Sequence, residues 1–220
     1  MNTVTGQKII DIDINKRVLE SNDKVARKNR ELLKKYNIKS YDIMGSVGTG
    51  KTSLLETITE KLNKKYRIAV IAGDLTTTID ADRIKRHHAE TIQINTGRVC
   101  HLEAPMVHQA LLELDLSNLD VIFVENVGNL ICPAGYSLGV DKRIVVISVT
   151  EGPYMIRKHP LTFKQADIVA INKADIAEII GINIEDFYKD MREIDPRIPI
   201  LPVSAKTGYN IDKLIELMGL

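Results

Sequence analysis

The most informative segment of the chain is Gly45-Ser46-Val47-Gly48-Thr49-Gly50-Lys51-Thr52, which matches the phosphate-binding pattern G-x-x-x-x-G-K-[ST]. Gly45 and Gly50 allow the backbone to pass close to a phosphate, where a side chain would collide. The N–H groups of such a loop point inwards, and the positive end of the following helix faces the anion. The segment therefore predicts a P-loop that binds a nucleoside triphosphate.

The end of this loop carries the polar groups that a triphosphate and its metal require. Lys51 is predicted to bridge the outer phosphates, the Thr52 hydroxyl to ligate Mg²⁺, and Ser53 to extend the phosphate-binding set. Residues 41–44 have the pattern of a short buried strand, and residues 53–58 that of an amphipathic helix. A strand before the loop and a helix after it favour a functional P-loop over a chance match in a glycine-rich turn.

The composition is that of a soluble globular domain of ordinary charge. The 220 residues are 44% hydrophobic and 27% charged, with a formal net charge of +1, two cysteines and no tryptophan. Low aromatic content argues against stacking on single-stranded nucleic acid. No apolar run reaches the ~20 residues that cross a bilayer, and residues 1–11 lack a secretion-signal pattern. We expect a reducing cytoplasmic location, with neither a membrane nor a nucleic-acid partner.

Apolar runs of strand length alternate with helical patterns along the chain. The runs cover residues 41–44, 67–72, 91–94, 121–124, 143–149, 168–171 and 198–203, and the helical patterns 104–114, 184–194 and 211–218. Continuous apolar runs are typical of strands buried on both faces. We expect an α/β fold with a doubly wound, mostly parallel sheet flanked by helices, and ligands at the carboxyl ends of the strands. Pro199 and Pro202 restrict the last run to an edge or short strand.

An extra helix is predicted ahead of this domain. Residues 15–36 carry an imperfect apolar stripe and eight basic residues against three acidic ones. The basic residues indicate either a docking face or, more simply, a solvated helix flank. We divide the chain into an N-terminal arm and helix, residues 1–37, and a P-loop domain, residues 38–220, and expect residues 1–11 to be loosely held.

A guanine-binding pattern follows the strand predicted at 168–171. In Asn172-Lys173-Ala174-Asp175, the Asp175 carboxylate can accept two hydrogen bonds from guanine N1–H and the 2-amino group, a donor pair that adenine lacks. The Lys173 stem can cover one face of the base. In Ser204-Ala205-Lys206, the Ala205 N–H is positioned to donate to guanine O6. The two patterns together predict GTP as the nucleotide, the simpler alternative being an exposed helix start.

Acidic residues at two other strand ends are candidates for the magnesium site. Asp74 follows the strand at 67–72, and Glu125 follows the strand at 121–124. We expect Glu125 to hold Mg²⁺ through water and the Gly128 N–H to sense the γ-phosphate; Lys51, Asp74 and Glu125 form the candidate catalytic set. No glutamine is placed to orient water, so slow intrinsic hydrolysis is predicted, with a partner or second subunit completing the site. Asp80 and Asp82 are weaker candidates that could simply cap a helix.

Soft metal ligands lie in two further loops. Cys100-His101 and Cys132 each follow a predicted strand, so both loops are expected at the nucleotide edge of the sheet. Two thiolates and an imidazole suit Zn²⁺ or Ni²⁺. Three donors in one chain imply a site that is open to water or completed across a dimer; the alternative is that both cysteines are small buried hydrophobes. His87, His88, His108 and His159 show no ligand spacing.

These motifs together resemble the hydrogenase nickel-incorporation GTPase family HypB, from about residue 38 to the end of the chain. The most specific part is Glu125-Asn126-Val127-Gly128-Asn129-Leu130-Ile131-Cys132-Pro133. The resemblance implies a dimerising P-loop GTPase, with GTP-promoted homodimerisation and metal held between subunits by Cys100, His101 and Cys132. It also implies delivery of nickel to a hydrogenase large-subunit precursor alongside a second nickel chaperone. It further makes Lys158 the candidate lysine that reaches the neighbouring subunit's nucleotide.

The chain departs from many relatives of that family in one respect. Residues 1–15 carry neither a cysteine-rich motif nor a histidine tract for tight nickel storage, so only the interface site is expected. Three alternatives stay open: a urease-type nickel GTPase, a P-loop small-molecule kinase and a structural GTP-binding scaffold. Urease-type relatives typically carry Cys-Pro-His, whereas Ala134 follows Cys132-Pro133 here. Guanine specificity argues against the kinase, and a scaffold would show no turnover.

Overall fold

The fold was analysed in a computed structural model of the chain. It describes residues 14–74, 89–97 and 99–220, with side chains from residue 18 onwards within those ranges. None of the helices in these ranges is long and apolar enough to cross a membrane.

The centre of the molecule is a single parallel sheet. Its strands are β1 (Lys39–Met44), β2 (Ile68–Asp74), β3 (Glu90–Asn95), β4 (Val121–Glu125), β5 (Lys142–Ser148), β6 (Ile168–Asn172) and β7 (Ile200–Pro202). Their order is β3-β2-β4-β1-β5-β6-β7, and all six pairings are parallel. The sheet that the sequence predicts to be mostly parallel is thus fully parallel among the described strands, and the predicted α/β class is confirmed.

Helices cover both faces of the sheet. They are α1 (Ile14–Lys35), α2 (Lys51–Leu62), α3 (Ala104–Glu113), α4 (Met155–Lys158), α5 (Pro160–Lys164), α6 (Ile184–Ile194) and α7 (Ile211–Met218). Successive strand residues face opposite sides. Phe123 therefore packs under α2 and α7, whereas its neighbour Ile122 packs with α1 and α3. Phe163 and Phe187 pack α5 and α6 on the remaining strands of that second face. Each such fully buried side chain contributes about 1.5–3 kcal/mol.

The last strand is as short as its prolines predict. β7 has three residues and pairs only with β6 in the described sheet, so it forms one edge. Proline cannot donate to a strand ladder, which restricts it to such positions.

The predicted N-terminal helix is present and is packed on the domain. The Asn29 side-chain amide donates to the carbonyls of Ala104 and Leu138, each at 3.0 Å, and is fully buried. Gly139 allows the close approach, because a Cβ there would lie 2.0 Å from the Ala26 carbonyl oxygen. The described basic side chains of the helix are exposed, which fits both a solvated flank and a docking face: Lys24, Arg27, Lys28, Arg30, Lys34 and Lys35.

Candidate functional site

The loop between β1 and α2 is closed by its own polar groups. Thr49 Oγ1 and Lys51 Nζ both donate to the Ser46 carbonyl, at 3.0 and 3.1 Å. Lys51 and Thr49 are buried, whereas Val47 at the tip of the loop is 82% exposed. The loop therefore keeps a tight turn while its tip remains accessible.

Two glycines of the loop have no room for a side chain. A Cβ at Gly45 would lie 2.2 Å from the Val146 carbonyl oxygen. Gly50 has φ 87°, and a Cβ there would lie 2.5 Å from Asn172 Nδ2. Both constraints agree with the sequence pattern. The contact with Asn172 also places the predicted guanine-binding segment directly against the P-loop.

This geometry predicts that Gly50→Ala is more damaging than Gly48→Ala. Both residues have positive φ, 87° and 80°, so both variants carry similar backbone strain of about 1–2 kcal/mol. Only Gly50→Ala adds a collision, since nothing lies within 4 Å of a Cβ at Gly48. We expect Gly50→Ala to lower the Tm by a further ~4 °C or more, measured by differential scanning calorimetry. Equal Tm values for the two variants would contradict the contact with Asn172.

The predicted magnesium-binding residues meet in a cleft beside the loop. Thr52 Oγ1 donates to Glu125 Oε1 at 2.6 Å, and both residues are buried. A cavity of about 440 Å³ is lined by these two residues together with Lys51, Asp74 and Gly128. A hydroxyl and two carboxylates are hard oxygen donors of the kind Mg²⁺ prefers, so the donor set fits that ion.

A second cavity, of about 260 Å³, lies where guanine binding is predicted. It is lined by Ser53, Lys173, Asp175, Ser204, Ala205 and Lys206, among others. Lys173 has φ 61° and its Nζ donates to the Gly48 carbonyl at 2.7 Å, so the stem runs back towards the P-loop. Asp175 is exposed at the opening.

The side chain of Asn172 joins the P-loop to the segment that lines the second cavity. Its Nδ2 donates to the Thr49 carbonyl at 2.8 Å, and its Oδ1 accepts from the Ala205 N–H at 3.1 Å. The N–H expected to donate to guanine O6 is therefore engaged by Asn172 in this structure. Sequence reasoning missed this bridging contact. Lys158 is exposed at the end of α4 and lines neither cavity.

The two cysteine loops converge, although their sequence positions are distant. Cys100 and Cys132 are free thiols that lie close enough to influence each other. The contact with Cys132 and burial raise the pKa of the Cys100 thiol, while Asn129 opposes the shift. Asn129 Oδ1 also accepts from the N–H groups of Ile131 and Cys132, and its backbone forms an antiparallel bridge with Gly45. The Cys132 loop is thus tied to the P-loop.

His101 lies beside the thiols but does not complete a three-donor group. Its ring packs on Tyr136 with centroids 4.1 Å apart, and its Nδ1 is 3.9 Å from Cys100 Sγ. Its Nε2 faces Glu103 Oε1 at 3.5 Å without hydrogen-bond geometry. Burial lowers the pKa of His101, although the nearby Glu103 opposes the shift. The lowered pKa favours the neutral imidazole, which is the form that binds a metal.

Within residues 14–74, 89–97 and 99–220, no three His, Cys, Asp or Glu side chains form a group that could hold a metal ion. The set of Cys100, His101 and Cys132, expected to be completed across a dimer, therefore stays a prediction. Asp80, Asp82, His87 and His88 lie outside the described residues.

Behind both sites runs a buried polar network that the sequence did not reveal. Asp42 in β1 accepts from Asn126 Nδ2 at 3.1 Å and from Arg143 Nε at 2.9 Å. Asp42 and Asn126 are at most 1% exposed. Asp42 lies within an apolar run and Arg143 opens another, so neither stands out as a functional residue in the sequence.

The fold and the two cavities define a P-loop nucleotide-binding protein. Residues 40–202 match the family described as CobW/HypB/UreG, nucleotide-binding domain. The chain is 45% identical over 207 residues to a probable hydrogenase maturation factor HypB of Methanocaldococcus jannaschii, with 94% of each chain covered. It is 35% identical to the Escherichia coli hydrogenase maturation factor HypB, covering 97% of this chain and 73% of that protein.

Solved structures give the same relationship. The chain superposes on Helicobacter pylori HypB in complex with nickel with a TM-score of 0.85 and 36% identity, covering 90% of this chain and 95% of that one. Archaeoglobus fulgidus HypB gives a TM-score of 0.85 at 37% identity, with 91% and 98% covered. The chain belongs to the HypB family.

Proposed function

We propose that this protein is a GTP-hydrolysing metallochaperone that carries nickel or zinc and assists nickel insertion into a hydrogenase precursor. The observation that carries the proposal is the convergence of Cys100 and Cys132 in loops that adjoin the phosphate cavity. Cys132 lies in the same loop as Gly128, which lines that cavity. A nucleotide that contacts Gly128 would therefore be able to shift the Cys132 thiol.

Guanine specificity is supported by the second cavity. Asp175 lines this cavity, and its carboxylate would accept hydrogen bonds from guanine N1–H and the 2-amino group. Adenine would leave this carboxylate facing an acceptor, an unfavourable contact. Magnesium, when bound, would supply charge neutralisation between the phosphates; Thr52, Asp74 and Glu125 are the residues that would hold it.

A GTP-promoted homodimer is supported by apolar side chains around the nucleotide edge. Val47 in the P-loop is 82% exposed, and Ile131, next to Cys132, is 65% exposed. Exposed apolar side chains that form a contiguous patch are typical of interaction sites. A dimer formed through this surface would place the thiols of two chains near each other, completing a site for which one chain supplies too few donors.

The hydrogenase role rests on family membership and on the relatives' names. The Helicobacter hepaticus relative, 37% identical, is named a hydrogenase/urease maturation factor. A second nickel chaperone and a hydrogenase large-subunit precursor are the proposed partners in the cytoplasm. A P-loop kinase remains the alternative from another class, and a screen for phosphorylated small molecules separates the two.

Metal binding by the thiol loops is tested by titrating Ni²⁺ and Zn²⁺ calorimetrically. We expect the GTP-analogue complex to bind metal about 5–150-fold more tightly than the GDP complex, the usual range of coupling between sites. His101→Gln is expected to weaken metal binding, because it removes an imidazole beside the thiols. The matched control is His159→Gln, at the junction of α4 and α5, which should bind as the unmodified protein does. Equal affinities in all nucleotide states would exclude the coupling.

A further inference from the structure

We propose that Asn126, Asp42 and Arg143 form a buried relay that positions both thiol loops according to the state of the phosphate cavity. This inference rests on the proposed function, because it names the residues through which nucleotide and metal would influence one another. The three residues act through the loops they hold, so they are positioning residues.

Asn126 is the part of the relay nearest the nucleotide. It directly follows Glu125, borders the phosphate cavity and is 1% exposed. Its Oδ1 accepts from the Leu102 N–H at 3.0 Å and from the Val127 N–H at 3.1 Å. Its Nδ2 donates to Asp42 Oδ1 at 3.1 Å. One amide group therefore joins the phosphate side of β4 to the loop that carries Cys100 and His101.

Arg143 extends the relay to the other thiol loop. Its Nε donates to Asp42 Oδ2 at 2.9 Å, and the two side chains are 11% and 1% exposed. Its Nη2 donates to the Tyr136 carbonyl at 2.6 Å, and its Nη1 to the Ala134 carbonyl at 3.4 Å. Both carbonyls lie just after Cys132. Arg143 thus holds the segment that leads away from the second thiol.

The two loops also contact the rest of the site directly. The ring of His101 packs on Tyr136, so the loops ordered by Asn126 and by Arg143 touch each other. The Leu102 side chain fills the space over Gly73, where a Cβ would lie 2.8 Å from Leu102 Cδ1. Gly73 precedes Asp74, which lines the phosphate cavity. A displacement of Leu102 would therefore also shift both thiol loops and the Asp74 carboxylate.

The burial of the relay explains why it would transmit a movement. A shift that separated Asp42 from Arg143 would leave the Asp42 carboxylate, which is fully buried, without its charged partner, and this is strongly unfavourable. The network therefore favours a small number of complete arrangements over a gradual distortion. A buried ion pair is by itself weak evidence for stability, so a role in fixing loop arrangement accounts for this pair better.

The test compares two conservative variants of the same kind. Arg143→Lys keeps a positive charge near Asp42 but loses the donors to the Ala134 and Tyr136 carbonyls. Arg67→Lys is the matched control, because Arg67 also forms a salt bridge with an aspartate, Asp120, but at an exposed position. For each protein the Ni²⁺ affinity is measured in the GDP and GTP-analogue complexes, and the ratio of the two affinities is the readout.

We expect the ratio of about 5–150-fold in the unmodified protein to fall below about threefold in Arg143→Lys and to persist in Arg67→Lys. Asn126→Ala, which removes the other end of the relay, should behave as Arg143→Lys does. Thermal melts followed by circular dichroism check that each variant folds. If Asn126→Ala does not fold, the result for Arg143→Lys alone decides the test. The relay is supported if the ratio of the two nickel affinities falls while the nickel affinity of the GDP complex stays within about threefold of that of the unmodified protein.

Two other outcomes overturn it. If Arg143→Lys keeps the full ratio, or lowers nickel affinity equally in both complexes, these residues serve only structure and the proposed function stands. If the unmodified protein itself shows a ratio of one, the nucleotide-controlled metal site of the proposed function fails, and the relay fails with it.

Discussion

Lys51→Ala is expected to lower GTP hydrolysis by roughly 10²–10³-fold, the usual cost of removing a group that stabilises charge in a transition state. Lys51 begins α2, is buried and lines the phosphate cavity. Its ammonium group would contact the phosphate oxygens on which charge develops during transfer. Single-turnover phosphate release measures the effect.

The fold should survive this substitution. Alanine is a good helix former at the first position of α2, and the loop retains the bond from Thr49 Oγ1 to the Ser46 carbonyl. The matched control is Lys61→Ala in the last turn of the same helix, where Lys61 forms an exposed salt bridge with Asp212. That variant should hydrolyse GTP at the unmodified rate. Undiminished hydrolysis in Lys51→Ala would contradict the assignment of this loop as the phosphate site.

Asp175→Asn is expected to weaken GTP binding by roughly 10²-fold, because charge-assisted hydrogen bonds contribute about 1.5–3 kcal/mol each. Asparagine presents an amide N–H₂ to a guanine donor, so one bond is lost and two donors face each other. Xanthine carries a carbonyl at the position of guanine's 2-amino group. Xanthosine triphosphate should therefore bind the variant more tightly than it binds the unmodified protein. Competition of each triphosphate with a fluorescent GDP analogue measures the change.

A surface aspartate elsewhere provides the control. Asp186 in α6 forms an exposed contact with Lys189 at 3.5 Å, and Asp186→Asn should leave every triphosphate affinity unchanged. An unaltered GTP-over-ATP ratio in Asp175→Asn, with no gain for the xanthine nucleotide, would count against guanine recognition at this position.

The phosphate side of the site was predictable because its signals are local. The P-loop, the flanking strand and helix, and the acidic residues at strand ends all depend on residues close together in sequence. Parallel strands bring their carboxyl ends to one edge. The location of Asp74 and Glu125 at the nucleotide edge of the sheet could therefore be inferred from the fold class. Both line the phosphate cavity, as that reasoning requires.

The contacts behind the site could not be predicted in the same way. Asp42, Asn126 and Arg143 are distant in sequence, and each is ordinary in its local context. The ring of His101 packs on Tyr136, a partner that no spacing in the sequence indicates. Asn172 was predicted only as part of the guanine-binding segment, and the bonds by which its side chain joins the P-loop to Ala205 were not foreseen. Side-chain partners of this kind are fixed by tertiary packing, which a single sequence does not specify.

The segment from Glu125 to Cys132 serves both the phosphate cavity and the thiol pair. Its backbone is additionally fastened to the P-loop where Asn129 bridges Gly45. Under the proposed function, a substitution in this segment that changes metal preference would also change GTP turnover, because the same few peptide units would contact both ligands. Changing one property independently would then require a metal ligand in a different loop.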